Sequence, residues 1–392
     1  MTPAAPAPPH RLHALCPYFA MFPPAFAKES ILAHSKSEEL ILDPFSGRGT
    51  TLLEALLNDR HALAADINPV AYCVTAAKGS RPRVPRILDL IDRLEDGYNR
   101  APLLRLEAAR QALPAFFRRA FSPETLRQLL FLRGRLRWRD DPDERFVMAL
   151  LLGHLHGESD RSESFCSNQM PHSISTKPAY SLKYWRENKL YPPRRDAFDL
   201  LHDRASYRLE QGVPKRSGHV LRCDVRKLGG RARRFRSKVA LVVTSPPYLD
   251  TTRFEEDQWL RLWMLGGPPK VTYCAVSKDD RHDWARPYWS FLQAAWRGIA
   301  PLLRPSAVLV CRLGARGLDP RELRACFRAT VESVWPTAQE LSRSQLSKFP
   351  NRQTAILHPY SVGCRYEIDF TVWIPDPTPR PAPQSRVRRP CG

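Results

Sequence analysis

Several common cofactor and scaffold signatures are missing from this chain. It has no Gly-Lys-Ser/Thr triplet, and its one glycine turn after an apolar run, Gly47-Arg48-Gly49-Thr50-Thr51-Leu52, puts leucine where the dinucleotide fingerprint needs a third glycine. Both absences argue against ATP and NAD. The nine cysteines, at 16, 73, 166, 223, 274, 311, 326, 364 and 391, form no Cys-x-x-Cys pair, and their number is odd, so neither a disulfide framework nor a zinc site is expected. His154 and His156, two apart in an apolar stretch, would point to nearly opposite faces of a helix and make a poor ligand pair; no metal is expected. No run approaches the ~20 apolar residues that span a bilayer. The start, Met1 to Pro9, has no charged segment leading into an apolar core, so residues 1–10 read as a flexible extension and the protein as cytoplasmic. Acid is scarce: 40 Asp and Glu face 61 Lys and Arg, a net charge of +21 with a pI near 10.0, which favours a polyanionic partner.

What is present begins with Glu39 to Ala55. Glu39-Leu-Ile-Leu-Asp43-Pro44-Phe45-Ser-Gly47-Arg-Gly49-Thr50-Thr51-Leu-Leu-Glu-Ala55 reads as a buried strand, a glycine turn and the first turn of a helix. Gly47 and Gly49 let a ligand approach the backbone, and a helix N-terminus with the hydroxyls of Thr50 and Thr51 suits a carboxylate. A second strand, Ala62 to Asp66, ends in an acid followed by Ile67-Asn68-Pro69, about twenty residues after the turn, where related α/β folds bind ribose hydroxyls. Asp66 is the candidate ribose ligand, although an Asp ending a strand also serves as a helix N-cap.

Further on, the apolar run Val239 to Val243 leads into Thr244-Ser245-Pro246-Pro247-Tyr248. Two prolines lack N–H groups and fix φ, leaving a stiff loop whose carbonyls can accept from a planar amino group. Ser245 adds a second acceptor, and Tyr248 a flat ring on which a nucleobase can stack.

Together these segments resemble the S-adenosylmethionine-dependent DNA amino-methyltransferases, whose cofactor motif is Asp-Pro-Phe-x-Gly-x-Gly-Thr-Thr and whose catalytic motif is Ser-Pro-Pro-Tyr or Asp/Asn-Pro-Pro-Tyr. The resemblance extends to Tyr18 through Ala27, where Phe22-Pro23-Pro24 is similar to the segment these enzymes hold over the methionine part of the cofactor. It also takes in Leu221 to Val225, where the family has an acid, here Asp224, that accepts from the adenine amino group. It implies a Rossmann-like methyltransferase fold: a doubly wound, mostly parallel sheet with an antiparallel terminal hairpin. The cofactor would be S-adenosylmethionine, held by Phe22, Asp43, Pro44, Phe45, Gly47, Gly49, Thr50, Thr51, Asp66, Asn68, Asp224 and Val225, and catalysis would fall to Ser245, Pro246, Pro247 and Tyr248. Serine before Pro-Pro-Tyr is usual among cytosine-N4 enzymes, so the expected reaction is methyl transfer to N4 of a flipped cytosine in double-stranded DNA. Adenine-N6 methylation, RNA guanosine-N2 methylation and a catalytically silent DNA-binding role are the alternatives. Cytosine-C5 chemistry needs a nucleophilic cysteine, and the only Pro-Cys is Pro390-Cys391 in the tail. The expected partners are double-stranded DNA and, in a restriction-modification pair, a cognate endonuclease. No membrane is expected among them.

Many Ser-Pro-Pro-Tyr enzymes carry the catalytic motif first; here it comes second, as in a circular permutation of the same sheet. The expected organisation is a methyltransferase part at 11–79, a largely helical basic insertion at 80–218 that serves DNA recognition, a second methyltransferase part at 219–374 and a disordered basic tail at 375–392. Within the insertion, Ser122-Pro123-Glu124 caps a helix whose Leu126, Leu129, Leu130 and Leu136 oppose Arg127, Arg135 and Arg137. The irregular stretch from Ser164 to Arg186 mixes amides, hydroxyls, aromatics and bases as base-edge and phosphate contacts require, and Asn168, Gln169, His172, Ser175 and Lys177, with Arg253, are candidate DNA contacts. A packed loop with Tyr184 and Trp185 as core is the other reading. Alternating apolar residues at Gln353 to Leu357 and Tyr366 to Trp373 suggest the terminal hairpin.

Overall fold

The computed structural model describes residues 8–18, 22–157, 163–168, 177–249, 254–273, 276, 285–315, 317–342, 344–348, 364 and 366–380. Among the described residues eight strands make one sheet: β1 (Leu40–Asp43), β2 (His61–Asp66), β3 (His219–Arg222), β4 (Val239–Thr244), β5 (Leu303–Leu313), β6 (Gln339–Glu340), β7 (Gln345–Lys348) and β8 (Tyr366–Ile374). Their order is β3-β2-β1-β4-β5-β8-β6, with β7 also on β8; β1 to β5 run parallel, and β8 is antiparallel to β5, β6 and β7. This is a doubly wound, mostly parallel, Rossmann-like α/β sheet. Strands β1 and β4 are buried along their whole length, as apolar runs flanked by helices on both faces must be.

Fifteen helices are described. The first three, α1 (Pro24–His34), α2 (Thr50–Leu57) and α3 (Pro69–Gly79), belong with the first strands. Seven follow before β3: α4 (Val84–Asn99), α5 (Leu103–Gln111), α6 (Ala115–Ala120), α7 (Pro123–Arg135), α8 (Pro142–His154), α9 (Pro178–Glu187) and α10 (Ala197–Leu209). The rest are α11 (Leu228–Arg231), α12 (Phe254–Asp257), α13 (Trp259–Met264), α14 (Ala285–Ile299) and α15 (Pro320–Glu332). The starts follow local chemistry: Ser122 Oγ accepts from Thr125 N–H, Asp196 from Phe198 and Asp199, and Asp319 with Glu322 closes a capping box.

The seven helices between α3 and β3 are not a separate ball. One continuous core joins Leu12, Val70, Cys73 and Val74 to Phe117, Leu129, Phe146, Trp185, Phe198 and Trp263, so the helical segment is built onto α3. A second core, under α14 and α15, includes Leu42, Val242, Leu309 and Phe370; a third, under α1 and α2, includes Ile41, Ala64, Leu241 and Val243.

Two expectations meet the described residues only in part. The described strand that pairs with β8 at its start is β7, at Gln345–Lys348, while 353–357 lies outside the described residues. β7 has one leucine and three polar residues, so it lacks the apolar alternation that marks a strand in sequence. Its pairing comes from the free edge of β8. After Tyr248 the two short helices α12 and α13 are separated at Gln258. Residues 375–380, expected to be disordered, are tied back: Pro375 O accepts from Ser306 N–H at 3.1 Å, Pro377 O from Trp335 Nε1 at 3.0 Å, and Val334 O from Arg380 N–H at 2.8 Å. Trp335 is fully buried and its indole N–H needs a partner there. Among the described residues no helix is long and apolar enough to cross a membrane.

Candidate active site

The glycine turn leaves β1 and enters α2. Gly47 and Gly49 have φ of +49° and +77°, a region open to glycine at little cost, and Gly49 is the N-cap of α2. Around this turn the protein supplies its own partners. Asp66, at the end of β2, accepts from Gly47 N–H and Asn68 N–H, both at 2.9 Å. Thr75 Oγ1 on α3 donates to Gly47 O at 3.0 Å. Lys78, fully buried, donates through Nζ to Arg48 O at 2.6 Å and to His13 O at 3.4 Å. Behind it, His13 and Glu54 form a buried contact of 2.6 Å. Asp66 therefore shapes the turn and keeps lone pairs for a ligand.

Asp43 is buried beneath the turn, where Oδ1 accepts from Phe45 N–H at 3.2 Å and from Thr244 Oγ1 at 2.7 Å. The second bond joins residues 201 positions apart and locks the end of β1 to the residue before Ser245. Burial pushes the Asp43 carboxyl up to about 7 and the Asp66 carboxyl up to about 6, against the hydrogen bonds that favour their charged forms. Asp224, one strand further on, is instead held below the usual carboxylate range: burial opposes this, but hydrogen bonds from the Arg226 side chain and backbone outweigh it. Cys223 N–H donates to Asp66 O at 3.2 Å, so Asp66 and Asp224 stand at neighbouring strand ends.

The other candidate cofactor residues divide. Phe22, 8% exposed, meets Phe26 edge-on at 5.2 Å, and Phe45 meets Phe291 at 5.9 Å. Pro44 lies between Asp43 and Phe45 in the same turn, and Val225 is buried in the 3-10 turn after Asp224. Thr50 Oγ1 accepts from Arg48 Nε at 3.2 Å. Thr51 is committed to the sheet, donating to Val243 O at 3.0 Å, and Asn68 caps α3 while its Nδ2 donates to Tyr18 Oη at 2.9 Å. Sequence reasoning left Tyr18 and Thr75 out of the site; Tyr18 lies in the same quoted segment as Phe22, and its ring sits over Gly47, 3.7 Å from where a Cβ would be.

The candidate catalytic loop, Ser245 to Tyr248, leaves β4 next to the glycine turn, because Ile41 and Leu42 pair with Leu241 and Val242. Ser245 is half-buried, Pro246 buried, Pro247 exposed and Tyr248 7% exposed. The Tyr248 ring packs on Gly314, where an added Cβ would come within 2.9 Å of it, and its hydroxyl bonds to the side chains of Ser245 and Glu367. Leu249 continues as a parallel bridge to Ala315. From β1 the chain winds outward through β2 to β3, then returns at β4 and winds the other way through β5. Both loops therefore flank the topological switch point, where open α/β sheets bind ligands.

Of the candidate DNA contacts, Gln169, His172, Ser175 and Arg253 lie outside the described residues. Asn168 is 1% exposed; its N–H donates to Ala120 O at 2.6 Å and its Nδ2 to Arg119 O at 3.2 Å, so it anchors the segment to α6 instead of facing a base. Lys177 pairs with Glu256 of α12 at 3.0 Å. Trp185 is fully buried against Phe116, which makes it core. Arg118, Arg135, Arg137, Lys183, Arg186 and Lys189 are exposed on this helical layer. Among the described residues no group of three or more His, Cys, Asp or Glu is placed to hold a metal ion.

The residues at the turn fit S-adenosylmethionine. Two desolvated carboxyls suit a cationic ligand, and Ser46 Oγ is buried without a hydrogen-bond partner. Residues 7–78 match the family model described as DNA methylase, of the N6/N4 type, and this stretch holds the glycine turn, Asp43 and Asp66. Over this stretch the match supports the DNA amino-methyltransferase family, and the Rossmann-like sheet is compatible with it. No curated protein sequence matches the chain. Similar solved structures include TrmN from Thermus thermophilus, at 12% identity and a TM-score of 0.34, covering 93% of this chain and 51% of that one. Another is the rRNA methyltransferase aviRa from Streptomyces viridochromogenes, at 14% identity and a TM-score of 0.34, covering 94% of this chain and 93% of that one. The chain thus spans about half the length of TrmN. At that level of likeness neither neighbour bears on the substrate.

Proposed function

We propose that this protein transfers a methyl group from S-adenosylmethionine to the exocyclic N4 of a cytosine flipped out of double-stranded DNA. The observation that carries the reading is the adjacency of the two loops, joined by the Thr244–Asp43 bond of 2.7 Å at the ends of neighbouring parallel strands. One loop suits a cationic cofactor and the other an amino group.

S-adenosylmethionine supplies an electrophilic methyl group on a sulfonium. Asp66 and Asp224 would accept from its ribose and adenine ends, and the N-terminus of α2 would receive its carboxylate. Ser245 Oγ and the Pro246 carbonyl accept the two amine hydrogens, which frees the nitrogen lone pair from the ring and directs it outward. That lone pair would form the new C–N bond as the methyl carbon–sulfur bond breaks and the sulfur leaves as the neutral thioether of S-adenosylhomocysteine, and the nitrogen would then lose a proton to solvent. A stacked, paired cytosine cannot present N4 this way, hence the flipping. Exposed arginines and lysines on the helical layer meet phosphates, and serine in place of Asp or Asn before Pro-Pro-Tyr favours cytosine over adenine.

The test is incubation with radiolabelled S-adenosylmethionine and mixed double-stranded DNA, followed by nucleoside separation. Label in N4-methylcytosine supports the reading; label in N6-methyladenine keeps the chemistry and replaces the base. Label in RNA alone replaces the polymer.

A further inference from the structure

The catalytic loop has a partner on the antiparallel strand that the Ser-Pro-Pro-Tyr motif does not reveal. Arg312 of β5 stands opposite Asp369 of β8 in the ladder and grips its carboxylate through Nε at 2.6 Å and Nη2 at 2.7 Å, with the guanidinium 4.0 Å from the Phe26 ring centroid. This pair fixes the register of β8. Two residues along, on the same face, Glu367 lies 3.9 Å from Arg312 and reaches the Tyr248 hydroxyl. The Tyr248 ring packs closely on Gly314, where an added Cβ would come within 2.9 Å of it.

We propose that Glu367 is a positioning residue for methyl transfer: it takes the Tyr248 phenol hydrogen, and so sets the direction of a hydrogen-bond chain that turns the Ser245 hydroxyl to the substrate as an acceptor. The proposal rests on the function proposed above. A carboxylate accepts only, so the phenol donates to Glu367 and can only accept from Ser245. With its hydrogen committed to Tyr248, Ser245 presents lone pairs to the amine. Without Glu367 the phenol is free to donate to Ser245, and the serine hydrogen is free to turn to the amine nitrogen, occupying the lone pair that the methyl group must meet. No amino-acid spacing announces this role, because Glu367 is 119 residues beyond Tyr248 and meets it only through the sheet.

The experiment measures single-turnover methyl transfer, cofactor affinity and melting temperature for the wild type, Glu367→Gln, Glu367→Leu, Tyr248→Phe and the double variant Glu367→Leu/Tyr248→Phe. Glu367→Leu should slow transfer more than ten-fold with cofactor affinity within about two-fold, because the chain is broken while the cofactor loop is untouched. Glu367→Gln, which still offers a carbonyl to the phenol, should recover much of the rate, and the double variant should lose no more than the worse single one. Losses that multiply, or a Glu367→Leu rate within two-fold of wild type, overturn the proposal. So does a common fall in rate, affinity and melting temperature, which marks packing alone. If the wild type methylates no nucleic acid, the function fails separately, and fluorine NMR of protein labelled with 3-fluorotyrosine decides the contact. The Tyr248 resonance, assigned by its loss in Tyr248→Phe, should move in Glu367→Leu; a resonance that stays put overturns the proposal.

Discussion

Replacing Gly49 by alanine should unfold the cofactor turn more than replacing Gly47, although both residues are glycines with positive φ in the same motif. At Gly49 two costs combine. A left-handed alanine costs ~1–2 kcal/mol. The new Cβ would also lie 2.9 Å from Thr75 Oγ1, 3.0 Å from Thr75 Cγ2 and 3.1 Å from Thr75 Cα. Thr75 could rotate to relieve the first two contacts, but it would then lose its bond to Gly47 O, and the contact with Cα would remain. Overpacking of this kind typically costs ~1–3 kcal/mol, so the total for Gly49→Ala is about 2–5 kcal/mol. At Gly47 the nearest atoms to an added Cβ are 3.7 Å away, ordinary contact, which leaves only the backbone cost of about 1–2 kcal/mol. Urea unfolding of the two variants, followed by circular dichroism, measures the difference, and cofactor affinity should fall in the same order. Equal losses, or Gly49→Ala within 1 kcal/mol of wild type, would refute the steric argument.

Three further outcomes follow from the site. Asp43 and Asp66 have carboxyls raised by burial to about 7 and about 6, so without a cation the fold binds protons more tightly than the unfolded chain, and their contribution to stability falls as pH rises through roughly 4 to 7. A cationic cofactor favours the ionised forms, so its affinity should rise with pH over the same window and binding at pH 6 should release protons; titration calorimetry in two buffers of different ionisation enthalpy detects this, and a flat affinity argues against it. Thr75→Val keeps the shape but removes the hydroxyl that donates to Gly47 O; it should cost about 1 kcal/mol and weaken cofactor binding a few-fold, measured by denaturation and equilibrium dialysis. Tyr248→Ala should abolish turnover while leaving cofactor affinity within a few-fold, and unchanged turnover would remove the tyrosine from the base pocket.

The sequence by itself determined the parts whose causes are local. Buried strands at Leu40–Asp43 and Val239–Thr244 follow from continuous apolar runs, the turn at Gly47–Gly49 from glycine's access to positive φ, and the start of α7 from Ser122 as a cap. Both motifs were legible for the same reason, since each packs its chemistry into a few consecutive residues. Tertiary structure alone decided which motif residues remain free for a ligand. Asn68 and Thr51 look like ligands in the sequence, but helix α3 and strand β4 take their polar atoms. Asp66 reaches Gly47 across 19 residues, Thr244 reaches Asp43 across 201, and Glu367 meets Tyr248 from a strand running the other way. A buried polar atom must find a partner wherever the fold brings one, and the cost of leaving it unpaired acts over distances in space that the order of residues along the chain does not encode.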